Sequence, residues 1–337
     1  MNNMNEEIIL KVNNLDIIYP VNKNIFFKKS KYLSAVEKVS FNIKKGETLG
    51  LAGESGCGKS SIAKAILNLL NFNVPDIRIN GEILLNTKDG YIEIIKIKNR
   101  VFRKYRELIQ PIFQDTYSSL NPKLTIGKII EEPLIYNTKL NKKQRLERVI
   151  YLMDKVGLHT DKINSYSYEF SGGQRQRINI ARALAVNPKI IIADEPVSSL
   201  DVSIQAQIIN LFIDLKKEFN LSMLFISHDL SVIKELSDKI AIMYLGKIVE
   251  YGNTHEVYKN AKHPYTKSLL ASIPKLEKKN NIKKGIEIKG DAPDLLKKPS
   301  GCYFRKRCSM AQGECSESMP NLELKAENHY AACFFSK

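Results

Sequence analysis

The stretch Gly53-Glu-Ser-Gly-Cys-Gly-Lys-Ser60 decides the architecture of this chain. It fits the pattern G-x-x-x-x-G-K-[ST]. The flanks are those the pattern needs: the short apolar strand Thr48-Leu-Gly-Leu-Ala52 before it, and an apolar-faced helix over 59–70 after it. Glycines let the backbone wrap a phosphate with several N–H groups pointing inward, and the helix N-terminus adds a favourable partial charge. Gly53, Glu54, Ser55, Gly56, Cys57, Gly58, Lys59, Ser60 and Ser61 are therefore the expected nucleotide-binding residues. Lys59 is expected on the β- and γ-phosphates, the Ser60 hydroxyl on Mg²⁺, and Cys57 supplies backbone only. A chance Gly-rich turn is the bland alternative, and eight matching residues with correct flanks argue against it.

The complement of such a loop is found 130 to 140 residues on, in Ile190-Ile-Ile-Ala-Asp-Glu195. An apolar strand ending in two carboxylates delivers them to the C-terminal edge of a parallel sheet, where ligands bind in such folds. Asp194 is expected to hold Mg²⁺ through water and Glu195 to polarise the water that attacks the γ-phosphate. His228 follows the apolar run Met223-Leu-Phe-Ile-Ser227 and is aimed at the same edge. Gln114 follows Leu108-Ile-Gln-Pro-Ile-Phe113 and is read as a sensor of Mg²⁺ and the attacking water. A lone His is more often a packing or surface residue.

Outward from these motifs the chain reads as α/β. The runs 190–193 and 223–227 suit central strands of a parallel sheet, with a helix over 203–219 between them as a β–α–β unit. Strands are expected over 8–12, 15–19 and 36–43, and residues 81–113 read as short strands with a basic insertion. Residues 125–185 are mostly helical, and 239–245 with 247–251 flank Gly246 as a hairpin. After Pro274 the composition turns to Lys, Asn, Gly and Pro, which marks a linker to about 299 before a small Cys-rich end. No internal repeat is apparent.

The chain has 337 residues, so length suggests two domains or one with an appendage. Apolar residues make up 43% and charged residues 26%, which excludes a disordered, collagen-like or membrane-embedded chain. No secretory signal is visible, and a cytosolic location is expected. The net charge is +16, concentrated in segments 22–45, 90–110 and 275–307 on a near-neutral body. A uniformly basic protein points to nucleic acid; three patches read as solvated lysine-rich loops and a basic linker.

Ser171-Gly-Gly-Gln-Arg-Gln-Arg177 opens a second helix with a second anion-binding end. One nucleotide does not need two grips, so this one is read as serving a nucleotide held by a partner subunit. At this point the sequence resembles the ABC ATPase cassette. The Lys59 loop looks like its Walker A, Asp194–Glu195 its Walker B and catalytic glutamate, and Ser171, Gly172, Gly173 and Gln174 its signature. Gln114 matches the Q-loop, Asp201 in Ser199-Leu-Asp201 the D-loop, His228 the switch histidine, and Tyr19 the aromatic that stacks on adenine. The resemblance implies a P-loop NTPase fold with a mixed core sheet, an antiparallel β-subdomain and an α-helical subdomain at about 115–187. Residues 1–273 form the cassette, 274–299 a basic linker and 300–337 a Cys-rich cap.

Gln114-Asp-Thr-Tyr-Ser-Ser-Leu-Asn-Pro122, His263-Pro-Tyr-Thr-Lys-Ser-Leu-Leu270 and the terminal cysteines narrow the resemblance to the oligopeptide/dipeptide/nickel importer ATPases. The early Phe26-Phe27-Lys-Lys loop is most like the F-type subunit. Phe170 before Ser-Gly-Gly and Thr116 after Asp115 depart from the family's usual Leu and Pro; Phe170 does not touch the phosphate grip, and Thr116 should leave Gln114 free to act. The resemblance implies ATP hydrolysis with Mg²⁺, a sister ATP-binding subunit with a heterodimer favoured, and two transmembrane permease subunits. It also implies an extracytoplasmic substrate-binding protein acting indirectly and residence at the cytoplasmic face of the membrane. Segment 114–136 is expected to dock a helix of the permease. Dipeptide, oligopeptide and nickel stay open as cargo. A nucleic-acid-dependent ABC-type ATPase is the alternative, but no stacking platform or helix-turn-helix stands out, and nucleic acid is not expected as a partner.

Five cysteines are present, and Cys302, Cys308, Cys315 and Cys333 fall in the last 36 residues. In a cytosolic chain, clustered cysteines point to metal or redox chemistry. Zinc sites usually bring ligands in C-x₂₋₄-C pairs, which are lacking here. Four thiolates also suit an iron–sulfur cluster. The related importer ATPases carry a [4Fe–4S] cap of similar spacing, so the resemblance favours the cluster over zinc. Reduced thiols in an apolar knot with Tyr303, Phe304, Phe334 and Phe335 are the plain alternative.

Overall fold

A computed structural model describes residues 7–21, 31–273 and 294–336. Much of the basic loop with Phe26 and Phe27, and of the expected linker up to 293, lies outside the described residues.

The chain opens with strands β1 (Ile8–Val21), β2 (Lys31–Lys44) and β3 (Thr48–Ala52), then helices α1 (Lys59–Ile66) and α2 (Leu70–Asn73). Strands β4 (Arg78–Thr87) and β5 (Gly90–Glu93), the short helix α3 (Asn99–Phe102) and strand β6 (Ile109–Ile112) follow. Helices α4 (Ile126–Asn137), α5 (Lys142–Lys155) and α6 (Gly172–Leu184) precede β7 (Ile190–Asp194), α7 (Val202–Phe219) and β8 (Ser222–Ser227). The last part holds α8 (Leu230–Leu236), β9 (Lys239–Tyr244), β10 (Lys247–Asn253), α9 (Thr254–Asn260) and α10 (Pro264–Ala271). It ends with α11 (Glu314–Glu317), β11 (Glu323–Ala326) and β12 (His329–Ala331).

The residues group into two compact units. The first draws on the start of the chain to Lys11, Asn42–Thr48 and Leu84–Ile226. Here β6, β7 and β8 pair in parallel, with Ile109 opposite Ile190 and Ile190 opposite Ser222. With α7 joining β7 to β8, this is the expected β–α–β unit. The apolar strand Ile190-Ile-Ile-Ala193 is fully buried, as a strand covered on both faces must be. The helical part packs Ile126, Ile129, Ile130 and Leu134 of α4 and Val149, Leu152 and Met153 of α5, with Ile178 and Ile180 of α6 among its buried residues. In the basic insertion, Lys96, Lys98, Arg100, Arg103, Lys104 and Arg106 are exposed, which fits a solvated face.

The second unit draws on Val12–Phe41, Leu49–Ile83 and Ser227 to the chain's end. Its part of the larger sheet runs β11-β12-β10-β9-β3, and β1, β2 and β4 lie in a separate sheet in the order β2-β1-β4. β3 pairs in parallel with β9, and β9 and β10 form the expected hairpin, turned by Leu245 at φ 44° and Gly246 at φ 89°. β12 pairs with β10, placing His329 opposite Gly252. The Cys-bearing end therefore extends the same sheet and, in this division, belongs to the same unit.

Two local expectations change. The runs 8–12 and 15–19 are one strand, carried through Asn14 at φ 46°, whose N–H donates to Ser40 Oγ at 2.8 Å. The helix expected over 59–70 stops at Ile66. Asn68 sits in the left-handed region at φ 52° and donates to Ala65 O, while Leu69 N donates to Lys64 O. That pair of bonds is a Schellman end, and asparagine is a residue that tolerates it.

Candidate functional site

The phosphate loop lies in the second unit. β3 is fully buried and ends at Ala52, where the chain turns through three left-handed glycines, Gly53 (φ 151°), Gly56 (φ 78°) and Gly58 (φ 109°). A Cβ at Gly53 would fall 2.3 Å from Met243 O and one at Gly58 2.4 Å from Ala35 O, so backbone conformation and space both demand glycine. Ser55 and Gly56 form an exposed tip. α1 starts on Gly58, which offers no side-chain cap. Lys59 is buried, and its Nζ donates to Gly53 O at 2.8 Å and Glu54 O at 3.0 Å. Cys57 is also buried, and burial pushes its thiol pKa up, so it stays an uncharged thiol beside Lys59. Tyr19, on β1, donates its hydroxyl to Ser61 Oγ at 3.0 Å, which ties the expected adenine-stacking residue to α1.

The carboxylates lie in the first unit. Asp194 ends β7 and Glu195 follows it in a left-handed conformation, φ 49°. Such a backbone in a non-glycine residue costs about 1 kcal/mol or more and collects at functional positions. Glu195 N–H donates to Ile226 O at 3.0 Å, pinning the turn to the end of β8. Gln114 Nε2 donates to Glu195 Oε2 at 3.3 Å and Ser198 Oγ at 3.3 Å. The structure thus brings the side chains of Gln114 and Glu195 together. Ser171 caps α6 in a capping box: Gln174 N–H donates to Ser171 Oγ at 3.4 Å and Ser171 N–H to Gln174 Oε1 at 3.0 Å. Gly173 is packed so closely that a Cβ would fall 2.4 Å from Ile204 Cγ2. Asp201 caps α7 by accepting from Ile204 N at 3.0 Å, and that bond, with the Ser203 hydroxyl, holds its carboxyl below the usual range. His228 is exposed just past β8 and falls in the second unit with Lys59.

Cys302, Cys308, Cys315 and Cys333 all line one small cavity, with Phe304, Phe334 and Phe335 among its walls. All four are free thiols. Burial pushes Cys302 up to about 11, and the other three thiols add to the shift. The soft, all-sulfur donor set is of the right kind for iron–sulfur chemistry. Among the described residues, however, no group of three or more His, Cys, Asp or Glu side chains is set to hold a metal ion. The cysteines converge without forming a ligand arrangement, so the expected metal site on them finds no formed counterpart here.

Two residues near the loop were not anticipated. Tyr265, fully buried on α10, accepts from Glu54 N–H at 3.0 Å. Its stretch His263-Pro-Tyr stood out in the sequence, but nothing there said what it touches. Arg307 forms a two-point ion pair with Glu54, at 2.9 and 3.0 Å. A single arginine in a basic segment carries no sequence signal for that role.

Residues 36–198 match the family model described as ABC transporter, and residues 249–315 match that of the oligopeptide/dipeptide transporter C-terminal region. The chain is 44% identical to the oligopeptide transport ATP-binding protein AppF of Bacillus subtilis over 98% of each chain. It is 46% identical to the oligopeptide transport ATP-binding protein OppF of Haemophilus influenzae, covering 98% of this chain and 97% of that one. Among solved structures, the ATP-binding cassette MJ0796, a dimer bound to ADP and Pi after hydrolysis, aligns with a TM-score of 0.62 at 27% identity. The alignment covers 73% of this chain and 99% of that one. The chain belongs to the ABC transporter family, as an ATP-binding and ATP-hydrolysing subunit of the oligopeptide/dipeptide importer type.

Proposed function

We propose that this chain energises peptide uptake, taking oligopeptides or dipeptides as cargo through the permease it serves. The observation that carries the residue assignment is the left-handed Glu195 at the end of β7 with Gln114 bonded to its carboxylate. In the proposed reaction Lys59 leaves its two loop carbonyls for the β- and γ-phosphates, while loop N–H groups and the uncapped start of α1 hold the rest. Tyr19 stacks on the adenine. Ser60, Asp194 and Gln114 would hold Mg²⁺, which would supply charge neutralisation. Glu195 orients and polarises the attacking water, and His228 senses the γ-phosphate. Catalysis is positioning and charge stabilisation around an in-line displacement.

Ser171, Gly172, Gly173 and Gln174 complete a nucleotide held by a sister subunit, and Asp201 belongs to the same contact. A heterodimer is favoured, working with two permease subunits at the cytoplasmic face, one of which docks on segment 114–136. The exposed Tyr117, Ile135 and Tyr136 of that segment support docking. The extracytoplasmic binding protein acts indirectly. The cassette of 1–273, linker of 274–299 and Cys-rich end of 300–337 are proposed as the functional division. A [4Fe–4S] cluster on Cys302, Cys308, Cys315 and Cys333 remains a proposal supported by the all-thiol cavity. Anaerobically purified chain with neither iron nor visible absorbance overturns it.

The central test is Glu195→Gln in the assembled transporter. ATP binding should persist while turnover falls at least about 100-fold, the scale of a lost general base. Turnover near wild type rejects the assignment.

A further inference from the structure

Glu54 poses an electrostatic problem. It is the second residue of a loop that holds polyphosphate, and it brings a carboxylate to an anion site, where like charges repel. The structure shows how it is managed. Its N–H donates to Tyr265 Oη at 3.0 Å and its carbonyl accepts from Lys59 Nζ at 3.0 Å, so its backbone is fixed on both sides. Its side chain meets the Arg307 guanidinium fork to fork: Nη1 donates to Oε2 at 2.9 Å and Nη2 to Oε1 at 3.0 Å. The Arg307 side chain is only 9% exposed and that of Glu54 24%, so water screens the pair weakly. Nη1 also reaches Tyr244 Oη at 3.4 Å, and the Tyr244 ring packs on Tyr265 and Phe304. Arg307 comes from the Cys-bearing end, one residue before Cys308.

We propose that Arg307 is a positioning residue for nucleotide binding. It neutralises Glu54 and fixes its carboxylate, so that the loop presents Lys59 and its N–H groups to the phosphates without an opposing charge. The Cys-bearing end then belongs to the electrostatics of the nucleotide site. The inference rests on the reading of Gly53–Ser60 as the phosphate loop.

The test is MgATP binding by the full-length chain at low salt, with Lys59→Ala as reference. Arg307→Met leaves Glu54 uncompensated and should raise Kd about tenfold, with the defect shrinking at high salt. Glu54→Gln leaves the guanidinium charge unpaired beside the phosphates, so ATP should bind about threefold tighter. Glu54→Gln combined with Arg307→Met should return Kd to within about threefold of wild type. Arg307→Lys should recover most of the loss. A purely structural clamp predicts otherwise: Glu54→Gln weakens binding, and the double variant is no better than Arg307→Met. Either result overturns the proposal, as does Arg307→Met within twofold of wild type. Where Arg307→Met does not fold, Glu54→Gln decides alone, and unchanged or weaker binding rejects the idea. Normal binding by Lys59→Ala rejects the phosphate-loop reading itself. Lost binding there with normal binding by Arg307→Met rejects only the role of Arg307.

Discussion

α1 and α6 both begin on glycine-rich turns read as phosphate grips, yet the two ends are built in opposite ways. α1 begins on Gly58 with no side-chain cap, behind a loop with three left-handed glycines and a buried lysine folded back on it. α6 begins on Ser171, whose capping box already satisfies two backbone donors, and none of its glycines is left-handed. Gly173 is there for close packing on Ile204, not for a turn. The first end has no side-chain cap, and its loop is closed on itself by Lys59. The second is stable as it stands and offers a surface. That is what is needed of a grip that meets a nucleotide carried by another subunit.

The largest effect that separates the two ends is expected from Lys59→Ala. It removes the lysine folded back on the loop and should weaken ATP binding by the single chain about 100-fold, or about 2.7 kcal/mol. Calorimetric titration of the purified chain measures this, and unchanged affinity would break the comparison.

Acid separates the ends next, because only the first leans on a titratable cap. His263 Nδ1 accepts from Tyr265 N–H at 3.1 Å at the start of α10, and Tyr265 holds Glu54 in the phosphate loop. Burial drives the His263 pKa from 6.5 down to about 4, against the pull of Glu250, so the folded imidazole is neutral. Below 6.5 the unfolded chain takes up the proton and the folded one does not, so stability falls as pH drops from 6.5 toward 4. At pH 5 the loss amounts to about 2 kcal/mol. Urea unfolding at pH 7.5 and pH 5 should show it, and His263→Asn, which keeps a cap acceptor without the titration, should flatten the difference. Equal pH dependence in both chains counts against this support.

The contrast also shows what the sequence could carry. The phosphate loop was legible because its chemistry is local: eight consecutive residues fix glycine, lysine and serine in the order the fold needs. Glu195 and Gln114 were legible as ends of apolar strands, and the structure places them 3.3 Å apart. The end of α1 was misjudged because Leu69 and Leu70 continue the apolar pattern, while Asn68 turns the backbone left-handed. Arg307 and Tyr265 were out of reach, since their partner Glu54 lies 253 and 211 residues away and neither contact leaves a local pattern. The cysteines were recognised as a set and do share a cavity, but their spacing does not state whether a ligand geometry forms.

The smallest effect is the most specific. Ser171→Ala removes the α6 cap, which costs about 1 kcal/mol of stability by the usual worth of such a cap. If the grip acts on a nucleotide brought by a sister subunit, the lone chain should bind ATP as the unmodified chain does, because its own loop is untouched. Turnover of the assembled transporter should still fall about tenfold. Ser171→Asp separates the two roles: aspartate caps a helix as well as serine, so stability should return, but its charge opposes the incoming phosphates, so turnover should stay low. A turnover that recovers along with stability would reduce Ser171 to a helix cap and leave α1 as the only phosphate grip of the chain.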